Sequence, residues 1–257
     1  MFTLLIVGSG VLGLAIGSFL NVVIYRVPRQ LSVVSPPSAC PHCGKRLLSR
    51  DNIPVVSWLL LRGKCRSCDA PIATRYPVVE LLTGVLFAVV AARLGVSWSV
   101  LAFLAFTAGL IALSWIDVEH LVLPKVLVYL HLGVVFLLLL FATAISHQWR
   151  HLLIGVLCAL SWWVIFFLLN LINPHWLGFG DVRFSLVLGL ALGWLSVGHV
   201  IFGFFASNLI GLIVSVALLI AKKIDRSRRL PYGVFLSAGS LASILFAGPL
   251  LAPLHLS

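Results

Sequence analysis

The chain is poor in charge, above all in negative charge. Only seven of its 257 residues are Asp or Glu, and charged residues of both signs make up 10%. Soluble domains carry roughly a quarter charged residues. With 61% hydrophobic residues and a mean hydropathy of +1.14, a soluble fold is excluded and a polytopic membrane protein is expected. Met1 to Gly10 contains no Lys or Arg. The N-terminus therefore lacks the basic region of a secretory signal, and the first apolar segment is expected to remain as a span. There is no internal repeat and no low-complexity run. The net charge of +11 could suggest nucleic acid. In a membrane protein, however, basic residues mark the cytoplasmic side, so no nucleic-acid partner is expected.

About 20 apolar residues cross a bilayer as a helix. The pattern predicts an all-α protein with about eight transmembrane helices, near 2–24, 77–94, 98–116, 126–145, 152–172, 182–196, 198–221 and 232–252. Nine Lys and Arg fall between Arg26 and Arg75. Lys125 and Arg183 add two, and Lys222, Lys223, Arg226, Arg228 and Arg229 add five. On eight spans all of these share one side, leaving Arg93 and Arg150 on the other. That side is predicted to be cytoplasmic, with both termini outside. The expected organisation is a first helix over 1–25, a cytoplasmic loop domain over 26–76, and a transmembrane domain over 77–257.

Two of the few acids stand at span ends. Asp117 closes the apolar run through Ser114-Trp115-Ile116, and Asp181 closes Gly178-Phe179-Gly180 before more apolar residues. Carboxylates at membrane depth are costly and are functional by default. The rival is a structural ion pair or hydrogen-bonded acid. Two glycines before Asp181 speak against it, since they permit close backbone approach and positive φ. A pair of this kind can activate water. Glu80 also lies near a membrane edge, balanced between structure and a site role. Glu119, two residues after Asp117, is expected in solvent but near enough to tune it. Asp51, Asp69 and Asp225 sit among basic residues and read as surface charges.

Four of the five cysteines form Cys40-Pro41-His42-Cys43 and Cys65-Arg66-Ser67-Cys68, with 21 residues between the pairs. The spacing is that of a four-cysteine zinc site made of two knuckles. Disulfides are the alternative, disfavoured on a cytoplasmic loop. Four thiolates fill a tetrahedral shell, so the metal is expected to be structural, stabilising a loop with little apolar content. His42 reads as a spacer, and Cys158, alone in an apolar span, as a packed thiol. His120 and His131 lack partners at ligand spacing. Asn21, Asn170 and Asn173 are candidates for hydrogen bonds between helices. Gly8-Ser9-Gly10-Val11-Leu12-Gly13 matches a dinucleotide fingerprint but lies inside a span. Gly13 and Gly17, four apart, read better as a helix-packing face.

Gly178-x-Gly180-Asp181 resembles the motif of the GxGD intramembrane aspartic proteases. Gly17-Ser18-Phe19-Leu20-Asn21 running to Tyr25-Arg26-Val27-Pro28 is similar to the opening of bacterial type IV prepilin peptidases. So are Asp51-Asn52-Ile53-Pro54 with Ser57-Trp58-Leu59, Arg75-Tyr76-Pro77-Val78-Val79-Glu80, and Ile116-Asp117 with Leu123-Pro124. The resemblance covers nearly the whole chain. It departs at Lys125, where the family often has an acid, at Arg183 for a common Lys, and at Pro231-Tyr232-Gly233-Val234 for Pro-Phe-Gly-Pro.

The resemblance implies a two-step enzyme of the bacterial inner membrane. It would cut the basic leader from type IV prepilins or type II secretion pseudopilins at the cytoplasmic face, with Asp117 and Asp181 as catalytic dyad. It would then methylate the new N-terminal residue from S-adenosylmethionine. One aspartate would take a proton from water while the other, protonated, polarises the scissile carbonyl. Because the pair shares its titration, neither is assigned as base. Glu80 and Glu119 are candidates by charge for recognising the leader, and the basic face would attract anionic lipid. Two other classes fit the residues themselves. One is a proton- or cation-coupled transporter using the aspartates as a relay. The other is a membrane-anchored zinc module that only binds a partner.

Overall fold

The computed structural model describes residues 1–174, 177–222 and 230–248. Asp225, Lys223, Arg226, Arg228 and Arg229, together with the end of the last predicted span, lie outside these residues. Among the described residues the structure is helical, with no strand and only two isolated antiparallel bridges. A helix lies within each predicted span: α1 (Phe2–Arg26), α3 (Arg75–Leu94), α4 (Val100–His120), α5 (Lys125–Ser146), α6 (Trp149–Ile172), α7 (Phe179–Leu195), α8 (Val197–Ile220) and α9 (Tyr232–Ala242). The short helix α2 (Val56–Leu60) lies in the first loop. Among the described residues six helices are long and apolar enough to cross a membrane: α1, α3, α4, α5, α6 and α8. At 17 residues, α7 is shorter. Helix α9 continues as a wider π turn over Ser243–Ala247.

The chain forms two compact units, Met1–Val96 and Ser97–Ser257. In the first, α3 packs along α1. A Cβ on Gly13 would stand 2.7 Å from the Thr83 carbonyl oxygen, and one on Gly17 would stand 2.7 Å from Glu80 Cα. These glycines let the two backbones touch, which is the packing role read from their spacing. Asn21 Nδ2 spans the same seam, donating to the Tyr76 carbonyl at 3.2 Å.

In the second unit α7 is the central element. It packs against α5, α6, α8 and α9, and Val182, Phe184, Val187, Leu188, Leu190, Ala191 and Leu192 are buried. Lipid is as apolar as leucine, so this enclosure rests on close packing rather than on a hydrophobic drive. Gly155 of α6 would meet the Leu190 carbonyl at 2.8 Å if it carried a Cβ. The buried face of α7 begins in its first turn at Val182, and Asp181 beside it is half-buried.

Candidate active site and metal centre

Asp117 lies one turn before the end of α4, and its side chain is buried, at 6% exposure. Its carboxylate meets the start of α9. Oδ2 accepts the Gly233 N–H at 2.9 Å, and the Val234 N–H also points to the group. Pro231 caps α9, so these are the second and third residues of the helix. The first N–H groups of a helix lack partners within it, and their positive end attracts an anion. This explains how a membrane helix tolerates the acid. Gly233 lets the helix start close on this acid, since a Cβ there would stand 2.9 Å from Asp117 Oδ2 and one of the two would have to shift.

Asp181 occupies the third position of α7 and reaches back to the N–H of the cap residue, Gly178. This is one half of a capping box. The two carboxylates lie within electrostatic reach of each other. Leu123 helps fix their mutual geometry. Its Cβ would stand 3.0 Å from a Cβ on Gly180, and its Cδ1 3.3 Å from one on Gly233, so it bridges the starts of α7 and α9. Asn170 Nδ2 donates to the Leu177 carbonyl at 2.6 Å, tying the end of α6 to the approach to Gly178. Tyr232 donates to Asn208 Oδ1 at 3.3 Å and is within electrostatic reach of Asp181.

One expectation about the motif needs correction. Gly178 has φ −68° and ψ 144°, and the positive-φ glycines among the described residues are Gly44, Gly63 and Gly95. The motif glycines therefore serve close approach, not left-handed backbone. A Cβ on Gly178 would sit 3.2 Å from Asp181 Oδ2.

Among the other acids, Glu119 accepts from Trp115 Nε1 at 3.1 Å and lies 3.9 Å from His120 Nε2. The contacts described for Asp117 come from α9 instead. Glu80 is buried in the first unit, where Oε2 accepts the Val55 N–H at 2.7 Å. Asp51 is more than a surface charge, because Arg66 grips both its oxygens, with Nη2 2.7 Å from Oδ1. The Arg66 guanidinium, through its hydrogen bond first, holds the Asp51 carboxyl below the usual carboxylate range. His131 is buried and stacks on Phe106, centroids 5.8 Å apart.

The cysteine loop folds as two matching knuckles. In the first, the Cys40 N–H bonds to the Lys45 carbonyl, and the Gly44 N–H to the Cys40 carbonyl. In the second, the Cys65 N–H bonds to Ala70 and the Asp69 N–H to the Cys65 carbonyl. Gly44 and Asp69 take the left-handed turn at equivalent positions, φ 69° and 55°. All four sulfurs lie within 4.8 Å of one another, and the cysteines are free thiols rather than disulfides. The 3.8 Å between Cys40 Sγ and Cys68 Sγ matches the edge of a tetrahedron of sulfurs about 2.3 Å from a metal. The Cys43 and His42 backbone N–H groups draw the Cys40 thiol down to about 6. At Cys68 the Ala70 N–H acts in the same direction, but burial and the neighbouring sulfurs outweigh it and push the thiol up to about 12. Four thiolates need a cation to balance them, and this donor set could hold one metal ion.

Gly233, Tyr232, Leu123 and the Asn170–Leu177 bond did not emerge from sequence reasoning as site elements. Tyr232 and Gly233 left a trace in the altered Pro-Tyr-Gly-Val turn, Leu123 in the Leu-Pro that follows Asp117, and Asn170 as a candidate for a bond between helices.

Comparison with known proteins agrees with these two units. Residues 11–94 match the bacterial peptidase A24 N-terminal domain, and residues 104–216 match the type IV leader peptidase family. A prepilin leader peptidase/N-methyltransferase of Stutzerimonas stutzeri is 34% identical, covering 94% of this chain and 91% of its own length. The proteins of that name from Pseudomonas aeruginosa and Neisseria gonorrhoeae are 35% and 37% identical. The first alignment covers 91% of this chain and 88% of the relative, the second 83% and 82%. No solved structure matches. The resemblance carried by the motifs is borne out, and the chain belongs to the type IV leader peptidase family.

Proposed function

We propose that this protein removes the leader peptide from type IV prepilins or pseudopilins and then methylates the new N-terminus. The observation that carries the proteolytic half is the pair Asp117 and Asp181, brought from α4 and α7 into mutual electrostatic reach. By connectivity the end of α4 and the start of α7 lie on the same side of the bundle. Each carboxylate rests on a helix N-terminus, which supplies N–H donors without consuming the proton chemistry. One carboxylate takes a proton from water and the other gives a hydrogen bond to the scissile carbonyl. Their protons belong to the pair, so the roles stay unassigned.

Cys40, Cys43, Cys65 and Cys68 hold a structural zinc in this reading. A closed four-thiolate shell leaves no position for substrate, and Arg66–Asp51 supports the second knuckle from outside. S-adenosylmethionine supplies the methyl group. The protein is a multi-pass protein of the bacterial inner membrane, with eight spans, both termini outside, and the dyad and basic loop on the cytoplasmic side. That placement follows the positive-inside rule, and the basic face suits anionic lipid.

A proton relay through Asp117 and Asp181 is less well supported. Beyond Asp181 the buried face of α7 runs through Phe184, Val187, Leu188, Ala191 and Leu192. Ser185, the polar residue among them, gives its hydroxyl to the Val182 carbonyl of its own helix. The test is reconstitution of the purified protein with a prepilin, following leader loss on a gel. Absence of cleavage by the intact, zinc-loaded protein refutes the proposal.

A further inference from the structure

The dyad accounts for peptide hydrolysis but leaves methyl transfer without a site. We propose that a cavity of about 310 Å³ at the loop end of α1 binds S-adenosylmethionine, and that Glu80 is the positioning residue that shapes it. The inference rests on the reading that this chain methylates its product.

The cavity lies wholly in the first unit. Ser18, Phe19 and Arg26 of α1 line it, together with Val34 and Pro36 of the following strap and Asn52 of the turn before α2. Its volume is at the lower end of the range for small-molecule sites, about 300–1,000 Å³. The lining combines the chemistries the donor presents. Phe19 and Val34 are exposed large apolar residues and offer a surface to a flat base. Ser18 and Asn52 can meet ribose hydroxyls. Arg26 donates to the carbonyls of Ser32 at 2.8 Å and Pro36 at 2.7 Å. A guanidinium has five N–H donors in a fixed fork, so others remain for the carboxylate of the methionine part. The residues therefore fit the donor.

The cavity is held open by a buried acid. Glu80 accepts from the Val55 N–H at 2.7 Å and also hydrogen-bonds Ser18. Val55 has φ 62° and ψ −49°. A β-branched residue seldom adopts positive φ, and such conformations persist only where their surroundings impose them. The Ser57 hydroxyl fixes the rest of the turn, accepting from the Ile53 N–H at 2.9 Å and donating to the Arg50 carbonyl at 3.0 Å. One carboxylate thus joins the α1 wall, through Ser18, to the turn that carries Asn52.

Chemically, the neutral N-terminal amine of the cleaved product attacks the methyl carbon of the donor. The carbon–sulfur bond breaks and its electron pair stays on sulfur, giving neutral S-adenosylhomocysteine. The amine, now carrying an extra proton, returns it to water.

The test measures equilibrium binding of methyl-labelled S-adenosylmethionine to the zinc-loaded, full-length protein in lipid nanodiscs. Leader cleavage is followed in the same samples as a check of folding. Asn52→Ala and Phe19→Ala are expected to weaken binding about tenfold each, the scale of one lost hydrogen bond or stacking contact. Glu80→Gln keeps an acceptor for the Val55 N–H and should bind nearly as wild type. Glu80→Ala should raise the KM for the donor while methylation at saturating donor is retained. A purely structural Glu80 would lower both methylation and cleavage at all donor concentrations, and that result overturns its positioning role. If wild type binds and methylates while Asn52→Ala and Phe19→Ala bind with unchanged affinity, the cavity is not the donor site. Displacement of nothing but anionic lipid from the cavity refutes it equally. If wild type neither binds the donor nor methylates, the methylation reading itself has failed, and the cavity assignment with it.

Discussion

Asp117→Asn separates the structural from the chemical role of this carboxylate. The asparagine keeps an oxygen that can accept the Gly233 N–H, now made at 2.9 Å, and asparagine is among the best partners for helix N-termini. What it loses is the charge facing the start of α9. That interaction stabilises by about 0.3–1 kcal/mol when exposed, and by up to about 2 kcal/mol in partly buried geometry. The folded protein should therefore survive and accumulate in the membrane. Catalysis should not survive. A positioned acid or base contributes about 10²–10⁴-fold, which is about 2.7–5.5 kcal/mol of barrier at 1.36 kcal/mol per decade. Cleavage of a purified prepilin, timed on gels with matched enzyme amounts, gives the ratio. A loss of about 100-fold or more with little change in melting temperature is expected. Cleavage within a few-fold of wild type would mean that Asp117 is only the cap of α9, and the dyad would be lost with it. Asp181→Asn should behave alike, since Asp181 also caps its own helix.

Gly233→Ala should reduce cleavage strongly while Asp117 itself is intact, because the added Cβ stands 2.9 Å from Asp117 Oδ2; normal turnover would show that the contact has no mechanistic weight. Elemental analysis of the purified protein should return one zinc per chain, and Cys65→Ser should lose it and loosen the loop to protease. No metal, with the sulfurs paired as disulfides, contradicts both the centre and the cytoplasmic placement of the loop. The Asp51 carboxyl, held low by Arg66, should titrate by ¹³C NMR below the ordinary value of about 3.9, with its midpoint rising in Arg66→Gln. Since the folded value is depressed, the bridge contributes stability above the unfolded pKa and loses it as pH falls through the folded one; an unmoved midpoint rules the bridge out.

Much of this site was legible in the sequence because its parts break a rule that membrane chains otherwise keep. Asp117 and Asp181 are rare acids in apolar surroundings, and the cysteine spacing encodes two knuckles. The axial glycines of α1 could be read for the same reason, as small residues four apart. What escaped notice is long-range. The bond from Gly233 to Asp117 joins residues 116 apart, and no local pattern says which helix N-terminus an acid will find. Gly178 and Gly180 suggest both close approach and positive φ, and only the first is used, against a neighbouring carboxylate and Leu123. The bond from Glu80 to a strained Val55 likewise depends on how α3 packs on α1, and β-branched valine gives no hint of positive φ.

The most direct test of the central claim is mass spectrometry of a full-length prepilin incubated with the purified, zinc-loaded protein and S-adenosylmethionine. The account predicts two products in order, first the mature pilin lacking its leader and then the same chain heavier by one methyl group at its N-terminus. Neither should form with Asp117→Asn or Asp181→Asn. An intact prepilin with the wild-type protein, or a trimmed product with either variant at the wild-type rate, would contradict it.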